Sequence, residues 1–222
     1  MKIVISLGGS LIIPDHIDYN FLKQFKKTIS KLNKHKFIIV TGGGKIAREY
    51  INALRREGLN DKIQSLIGIK TTKLNAMLLS NFLNLHVLIP DSFIALNKMI
   101  KKNRIIVCGA LGYTPDMTSD GTAADIARWW KADIFINMTN VKGLYNKNPK
   151  VYKDAKFIPE ISFEDFLKRV SKIKFKAGQH FVLDQSGAKI ITKYKIKTII
   201  LQGTKNLENC INGKNFIGTI IN

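Results

Sequence analysis

Short runs of apolar, mostly β-branched residues alternate along the chain with stretches of helical periodicity. Ile3 to Leu7, Phe37 to Val40, Ile105 to Cys108, Ile134 to Met138 and Thr198 to Leu201 read as strands buried on both faces. Val87-Leu88-Ile89 reads as a further short strand, and Phe216 to Ile221 as an edge strand. Between them, Phe21, Leu22, Phe25, Ile29 and Leu32 recur at helix spacing. Helices are also predicted over about 46–57, with Gly58 as its C-terminal stop, over 62–84 with a bend at Gly68, over 120–131 and over 187–195. Strand and helix in alternation predict an α/β fold with parallel strands joined by crossover helices. The stretch 146–176 is lysine-rich, holds Pro149, Pro159 and a helix-like Phe163 to Val170, and reads as a mobile excursion rather than a separate domain.

The chain has 222 residues, 45% of them hydrophobic, which suits one domain with one sizeable core. No apolar run is long enough to cross a bilayer. The opening residues read as a strand running into a glycine turn, not as a signal peptide. Cys108 and Cys210 form no framework or ligand cluster, so a cytoplasmic, reducing compartment is expected. The net charge of +20 is the unusual bulk figure. Its lysines are spread along the length without aromatic interleaving or zinc-ligand spacing, which favours a Lys-rich composition with polyanionic small substrates over a dedicated nucleic-acid binder.

Two predicted strands end in glycine clusters that lead towards helices: Gly8-Gly9-Ser10 and Gly42-Gly43-Gly44. Such a run lets the backbone approach a ligand with no Cβ in the way and turn its N–H groups towards an anion. Lys45 and Arg48 add positive charge on the first turn of the following helix. Neither G-x-x-x-x-G-K-S/T nor G-x-G-x-x-G occurs there, so the phosphate site belongs to another nucleotide fold. A segment from Thr114 through Pro115, Asp116, Met117, Thr118, Ser119 and Asp120 follows one strand and opens a helix, which Asp120 could cap or orient. Thr139, Asn140 and Tyr145 follow another strand and offer the amide and ring surface that a nucleoside needs.

Taken together, I-V-I-S-L-G-G-S-L, V-T-G-G-G-K-I-A-R, I-G-I-K-T-T-K-L-N-A-M-L-L, T-S-D-G-T-A, K-A-D-I-F-I-N-M-T-N-V-K-G-L-Y and K-A-G-Q-H-F-V-L-D-Q-S-G-A-K-I-I resemble the amino-acid-kinase superfamily, most closely its archaeal-type uridylate kinase branch. They occur in family order over nearly the whole chain. The resemblance implies a three-layer αβα sandwich with a mainly parallel central sheet, an acceptor part at about 1–125 and a nucleotide part at about 126–222. It implies transfer of the γ-phosphoryl group of ATP to UMP with Mg²⁺, in a homohexamer. Gly9, Ser10, Gly44, Arg48, Thr139, Asn140, Tyr145 and Asn148 would bind ATP. Gly43, Ser65 and the loop from Thr114 to Ser119 would bind UMP. Phosphoryl transfer of this kind rests on positioning and charge neutralisation, and a phosphate acceptor is already ionised, so no general base is needed.

Three departures from the family pattern, at four positions, stand out. Ser6 stands where many kinases of the superfamily carry lysine, which assigns charge neutralisation to Lys45 or to Lys189 oriented by Asp184, and Asp120 is counted with them as catalytic. Ser65 stands where the archaeal branch has the aspartate of the UMP ribose. Lys142 and Asn148 stand where acidic residues are usual. The alternatives are a kinase of the same fold with another phosphate acceptor, such as isopentenyl phosphate, and a non-enzymatic role as a nucleotide sensor, an oxyanion-storage relative or a nucleic-acid-binding regulator. Against the first stands the lack of a histidine near the glycine turns.

Overall fold

The computed structural model describes residues 1–149, 151–172 and 183–222. The chain begins with β1 (Lys2–Leu7), a short turn of helix α1 (Gly9–Ile12), α2 (Tyr19–Lys31) and β2 (Lys36–Thr41). Then come α3 (Gly44–Arg56), α4 (Asp61–Phe82), α5 (Phe93–Ile100) and β3 (Ile105–Cys108). The second half continues with α6 (Ser119–Trp130), β4 (Ile134–Met138), β5 (Leu144–Tyr145), β6 (Phe157–Ile158), β7 (Glu160–Ile161) and α7 (Phe163–Val170). It closes with α8 (Gln185–Tyr194), β8 (Thr198–Leu201), α9 (Thr204–Ile211) and β9 (Gly218–Ile221).

A seven-stranded sheet in the order β3-β2-β1-β4-β8-β9-β7 forms the middle layer. The strands from β3 to β8 run parallel, and β9 pairs antiparallel with β8. Both faces are buried. Ile3, Ile5 and Leu7 point to one core with Leu22 and Phe25 of α2, Leu79 of α4 and Leu207 of α9. Val4, Ile38 and Val40 point to the other with Ala123 and Ile126 of α6, Phe166 of α7 and Ile191 of α8. The period-2 alternation of strand side chains divides the two cores, and continuous apolar strands are what such double burial requires. Ser6, on the Val4 face, therefore faces α6.

The chain leaves β1 for β2 and β3 on one side, then returns through α6 to β4 on the other. The direction of winding thus reverses between β1 and β4, the point in an open α/β sheet where the loops beyond the carboxyl ends part to leave a crevice.

Several expectations need correction. Val87 to Ile89 is not a strand: His86 has φ +48, Leu88 is 89% exposed, and the sheet edge beside β2 is taken by β3. Phe216 to Ile221 is not an edge strand, since β9 lies between β8 and β7. α4 runs through Gly68 as one helix. The 146–172 stretch is not an excursion from the fold. It supplies β7 to the sheet edge, and α7 buries Phe163, Phe166 and Val170. Gly58 does follow α3 in a left-handed turn, φ +74.

Candidate functional site

The two glycine turns lie against each other. A Cβ on Gly9 would stand 2.0 Å from Gly44 N, one on Gly42 would stand 2.5 Å from Gly9 N, and one on Gly44 would stand 2.7 Å from Gly9 O. Only residues without side chains allow this approach of backbone to backbone. Positive φ is needed at Gly44 (+69) but not at Gly43 (−80), where the constraint is steric: a Cβ would stand 2.4 Å from Ala47 Cβ. Asn75 of α4 donates to Gly42 O at 2.8 Å, and Gly8 N donates to Met138 O at 2.9 Å. The first tie holds the β2 turn to a helix, the second holds the β1 turn to the end of β4.

Over this joined floor opens a cleft of about 620 Å³ at the carboxyl ends of β1, β2, β3 and β4. Gly8 to Ser10, Gly42 to Gly44 and Arg48 line one part, and Ser65, Thr72 and Ala110 the next. Met117 to Asp120, Asn137 to Val141, Gly143 to Pro149 and Asp184 complete it. α3 begins here with no side-chain cap and no acidic residue in its first turn; Lys45 N donates to Ile13 O at 3.3 Å and Ala47 N to Gly43 O at 3.4 Å, which leaves the N–H groups of Gly44 and Ile46 for an anion. Arg48, one turn into α3, is half-buried and in no ion pair among the described residues; burial pulls its pKa down.

Asp184 joins two helices at the cleft wall. Its carboxylate accepts from Thr118 N (2.8 Å), Thr118 Oγ1 (2.5 Å), Gly121 N (3.0 Å) and Gly187 N (2.6 Å), so one side chain satisfies donors at the starts of α6 and α8. A Cβ on Gly121 would stand 2.8 Å from both of its oxygens. The cap of α6 is Thr118, which accepts from Asp120 N at 3.2 Å; Asp120 is left to another role. Its Oδ1 accepts from Ser6 Oγ at 2.5 Å. Burial pushes the Asp120 carboxyl up to about 7; the Ser6 hydrogen bond opposes the shift and the charge of Asp184 adds to it.

Gly143 packs under Thr219, whose Oγ1 accepts from Leu144 N at 2.7 Å and donates to Ile158 O at 2.5 Å. That tie sets Tyr145 and the residues up to Pro149 along the far wall.

The cleft brings together Gly9, Ser10, Gly43, Gly44, Arg48, Ser65, Met117, Thr118, Ser119, Asp120, Thr139, Asn140, Tyr145, Asn148 and Asp184 of the residues singled out in the sequence. It leaves out the others. Lys45 does not line it: its Nζ pairs with Asp15 Oδ1 at 2.9 Å on the surface, and that hydrogen bond raises its pKa. Lys189 is exposed on α8, and Asp184 is occupied by the N–H and O–H donors just named rather than by that lysine. Thr114, Pro115 and Asp116 are exposed beyond the rim. Of the K-A-G-Q-H-F-V-L-D-Q-S-G-A-K-I-I segment, residues 176–182 lie outside the described residues. Sequence reading missed the Ser6–Asp120 pair, for which the buried polar Ser6 inside an apolar strand is the available signal, and the buried Asn75 and Asn137.

The family model described as "Amino acid kinase family" matches residues 1–202. The chain is 38% identical to a protein named "Uridylate kinase" from Archaeoglobus fulgidus, with the whole of both chains covered. It is 34% identical, again with both chains wholly covered, to one of the same name from Methanococcus aeolicus. Among solved structures it superposes on "Crystal Structure of Uridylate Kinase from Archaeoglobus Fulgidus" with a TM-score of 0.86 and 36% identity over 100% of each chain.

Proposed function

The chain belongs to the amino acid kinase family, and we propose that it is an enzyme that transfers the γ-phosphoryl group of ATP to UMP, giving ADP and UDP. The observation that carries this reading is the joined floor of Gly9 and Gly44 beneath half-buried Arg48, at the switch point of the sheet, in a chain that matches uridylate kinases from end to end.

Gly9, Ser10, Gly44 and Arg48 hold the ATP phosphates, and Thr139, Asn140, Tyr145 and Asn148 hold its nucleoside. Gly43, Ser65, Met117, Thr118 and Ser119 hold UMP, the Ser65 hydroxyl serving the ribose. The acceptor part at about 1–125 and the nucleotide part at about 126–222 then meet over the glycine floor. The transfer needs no general base, because the phosphate oxygen of UMP is ionised before it attacks. The chain contributes alignment of the two phosphates and neutralisation of charge on the oxygens of the moving group. With Lys45 on the surface beside Asp15, Lys189 exposed and Lys147 paired with Asp154, the neutralising cation among the described residues is Arg48, supported by the N–H groups of Gly44 and Ile46 that open α3. Asp184 acts by positioning, holding Thr118 and the start of α6 against α8.

The described residues contain no group of three or more His, Cys, Asp or Glu that would cage a cation by itself. They fit magnesium carried in on phosphate oxygens, which needs only one or two carboxylates from a protein. Asp120 would hold it, since only its Oδ1 is engaged, by Ser6, whereas Asp184 is filled by donors. Bound there, Mg²⁺ would offset phosphate charge.

The α4 surface supports self-association, for which we propose the homohexamer. Ile63, Leu66, Leu74 and Met77 are each 40–55% exposed and recur at the spacing of a helix–helix seam. Two free cysteines and the absence of a membrane-length helix among the described residues suit the cytoplasm.

Coupled ADP release with UMP, CMP, AMP, GMP and isopentenyl phosphate tests the reading. UMP is expected to give the highest kcat/KM. Preference for another acceptor would overturn the acceptor assignment, and nucleotide binding without any ADP release would overturn the kinase.

A further inference from the structure

The lysines that look evenly spread in the sequence are gathered by the fold. At the end of the sheet opposite the cleft, each parallel strand is led in by cations. Lys2 opens β1, Lys34 and Lys36 lead into β2, and Lys101, Lys102 and Arg104 precede β3. On the other side Lys131 precedes β4, and Lys195 and Lys197 precede β8. The one carboxylate on these lead-in residues is Asp133, which accepts from Lys2 N at 2.6 Å.

The sheet order sets these residues side by side. Lys2 and Lys36 are register partners in neighbouring strands, and Phe37 N donates to Arg104 O at 2.8 Å, which puts Arg104 beside Lys36. Beyond Asp133 the row ends at Lys197, whose carbonyl accepts from Phe135 N at 3.0 Å. Adjacent strands lie about 4.8 Å apart, so the row from β3 to β8 spans about 19 Å. Like charges on neighbouring strands repel, and here nothing of opposite sign stands between Arg104, Lys36 and Lys2. His35 registers that field: its pKa is lowered by burial and then by the charges of the amino terminus, Arg104 and Lys34. Behind β2 the outer side of α2 continues the patch with Lys23, Lys27 and Lys31, and from Tyr19 to Arg48 the chain has no Asp or Glu.

We propose that this rim docks the phosphate backbone of a nucleic-acid duplex, independently of the phosphoryl-transfer cleft at the other end of the strands. A closely spaced row of exposed ammonium and guanidinium groups, of which among the described residues only Lys195 (with Glu164) and, on α2, Lys31 (with Glu208) are ion-paired, is the footprint of a polyanion with regularly spaced charges. A lipid surface fits less well, because anchoring to it needs apolar side chains among the cations. The exposed large hydrophobic residues on these lead-in residues are Met1 and Tyr194, and the Tyr194 ring is already packed against Arg128 and Lys193. With no free ring to stack on unpaired bases, contact falls on the backbone and carries no base preference.

The experiment is fluorescence anisotropy of the full chain with a labelled 20-base-pair duplex across a range of KCl concentrations. Wild type should bind at low salt with a steep negative slope of log Kobs against log[KCl]. The triple variant Lys34→Gln/Lys36→Gln/Arg104→Gln should lower the magnitude of that slope by about 3. An equal-charge control, Lys153→Gln/Lys168→Gln/Arg169→Gln, should leave it within about 1 of wild type. Both variants should release ADP at wild-type rates. No binding by wild type at low salt, equal losses in the two triple variants, or binding to anionic phosphatidylserine vesicles in place of the duplex would each overturn the proposal.

Discussion

The two ends of the same sheet both suit anions, and they do so by opposite means. At the carboxyl end the chain spends glycines: Gly9 and Gly44 approach so closely that neither tolerates a Cβ, helix α3 starts uncapped, and one half-buried Arg48 supplies charge. At the amino end the charge comes from exposed Lys and Arg side chains set in a row by strand register. Under the proposed function the first arrangement holds a phosphate in one place, as phosphoryl transfer needs. The second gives long-range attraction that salt screens. Net charge alone would have pointed to the wrong end for catalysis.

That contrast can be broken first at the glycine floor. Gly9→Ala forces the two turns apart, so ADP release should vanish and chemical denaturation should show a loss of more than about 3 kcal/mol. A variant that keeps both rate and stability would separate the turns from the site. Asp184→Asn removes half of the acceptor capacity that closes α6 against α8. Denaturant melts should show a loss of about 2–4 kcal/mol, and KM for UMP should rise as the Met117 to Ser119 wall loosens. Unchanged stability would mean that the clip between the helices is dispensable.

Arg48→Ala should lower kcat/KM by about 10²-fold while moving the melting temperature of the ligand-free protein by no more than about 2 °C. An equal loss on Arg48→Lys would show that the planar fork, rather than charge alone, is needed. The smallest effect is a pH dependence. Burial raises the Asp120 carboxyl in the folded state to about 7, from the 3.8 of a carboxyl in water. Between those values the folded state holds a proton that the unfolded state has lost, so this group's contribution to stability falls as pH rises from about 4 to about 7. Asp120→Asn, which cannot ionise, should therefore gain on wild type by on the order of 2 kcal/mol between pH 5 and pH 8, read from urea melts at each pH. A constant difference would place the titration elsewhere.

The comparison also explains what the sequence made legible. Strands buried on both faces are continuous apolar runs, and β4 and β8 are found within the limits that their pattern indicates. Short elements carry too few residues to show a period: α5 buries only Leu96, and β7 has two residues. Val87 to Ile89 has strand chemistry, but the place beside β2 goes to β3, a fact of topology that no local pattern contains. In the site, glycine turns were visible because their residue type is their function. The lysines were not, because reach decides their role: Lys45 is one residue from Gly44 yet turns to Asp15, and Lys189 sits five residues beyond Asp184 without meeting it. The Ser6–Asp120 pair and the cationic rim depend on which strands and helices become neighbours across more than a hundred residues.

A crystal structure with UMP and a non-hydrolysable ATP analogue bound together tests the central claim most directly. Both phosphate groups are expected over the Gly9–Gly44 contact, with the γ-phosphate within hydrogen-bond reach of Arg48 and the UMP phosphate between Gly43 and the start of α6. UMP seated away from that floor, or its phosphate turned from the γ-phosphate, would contradict it.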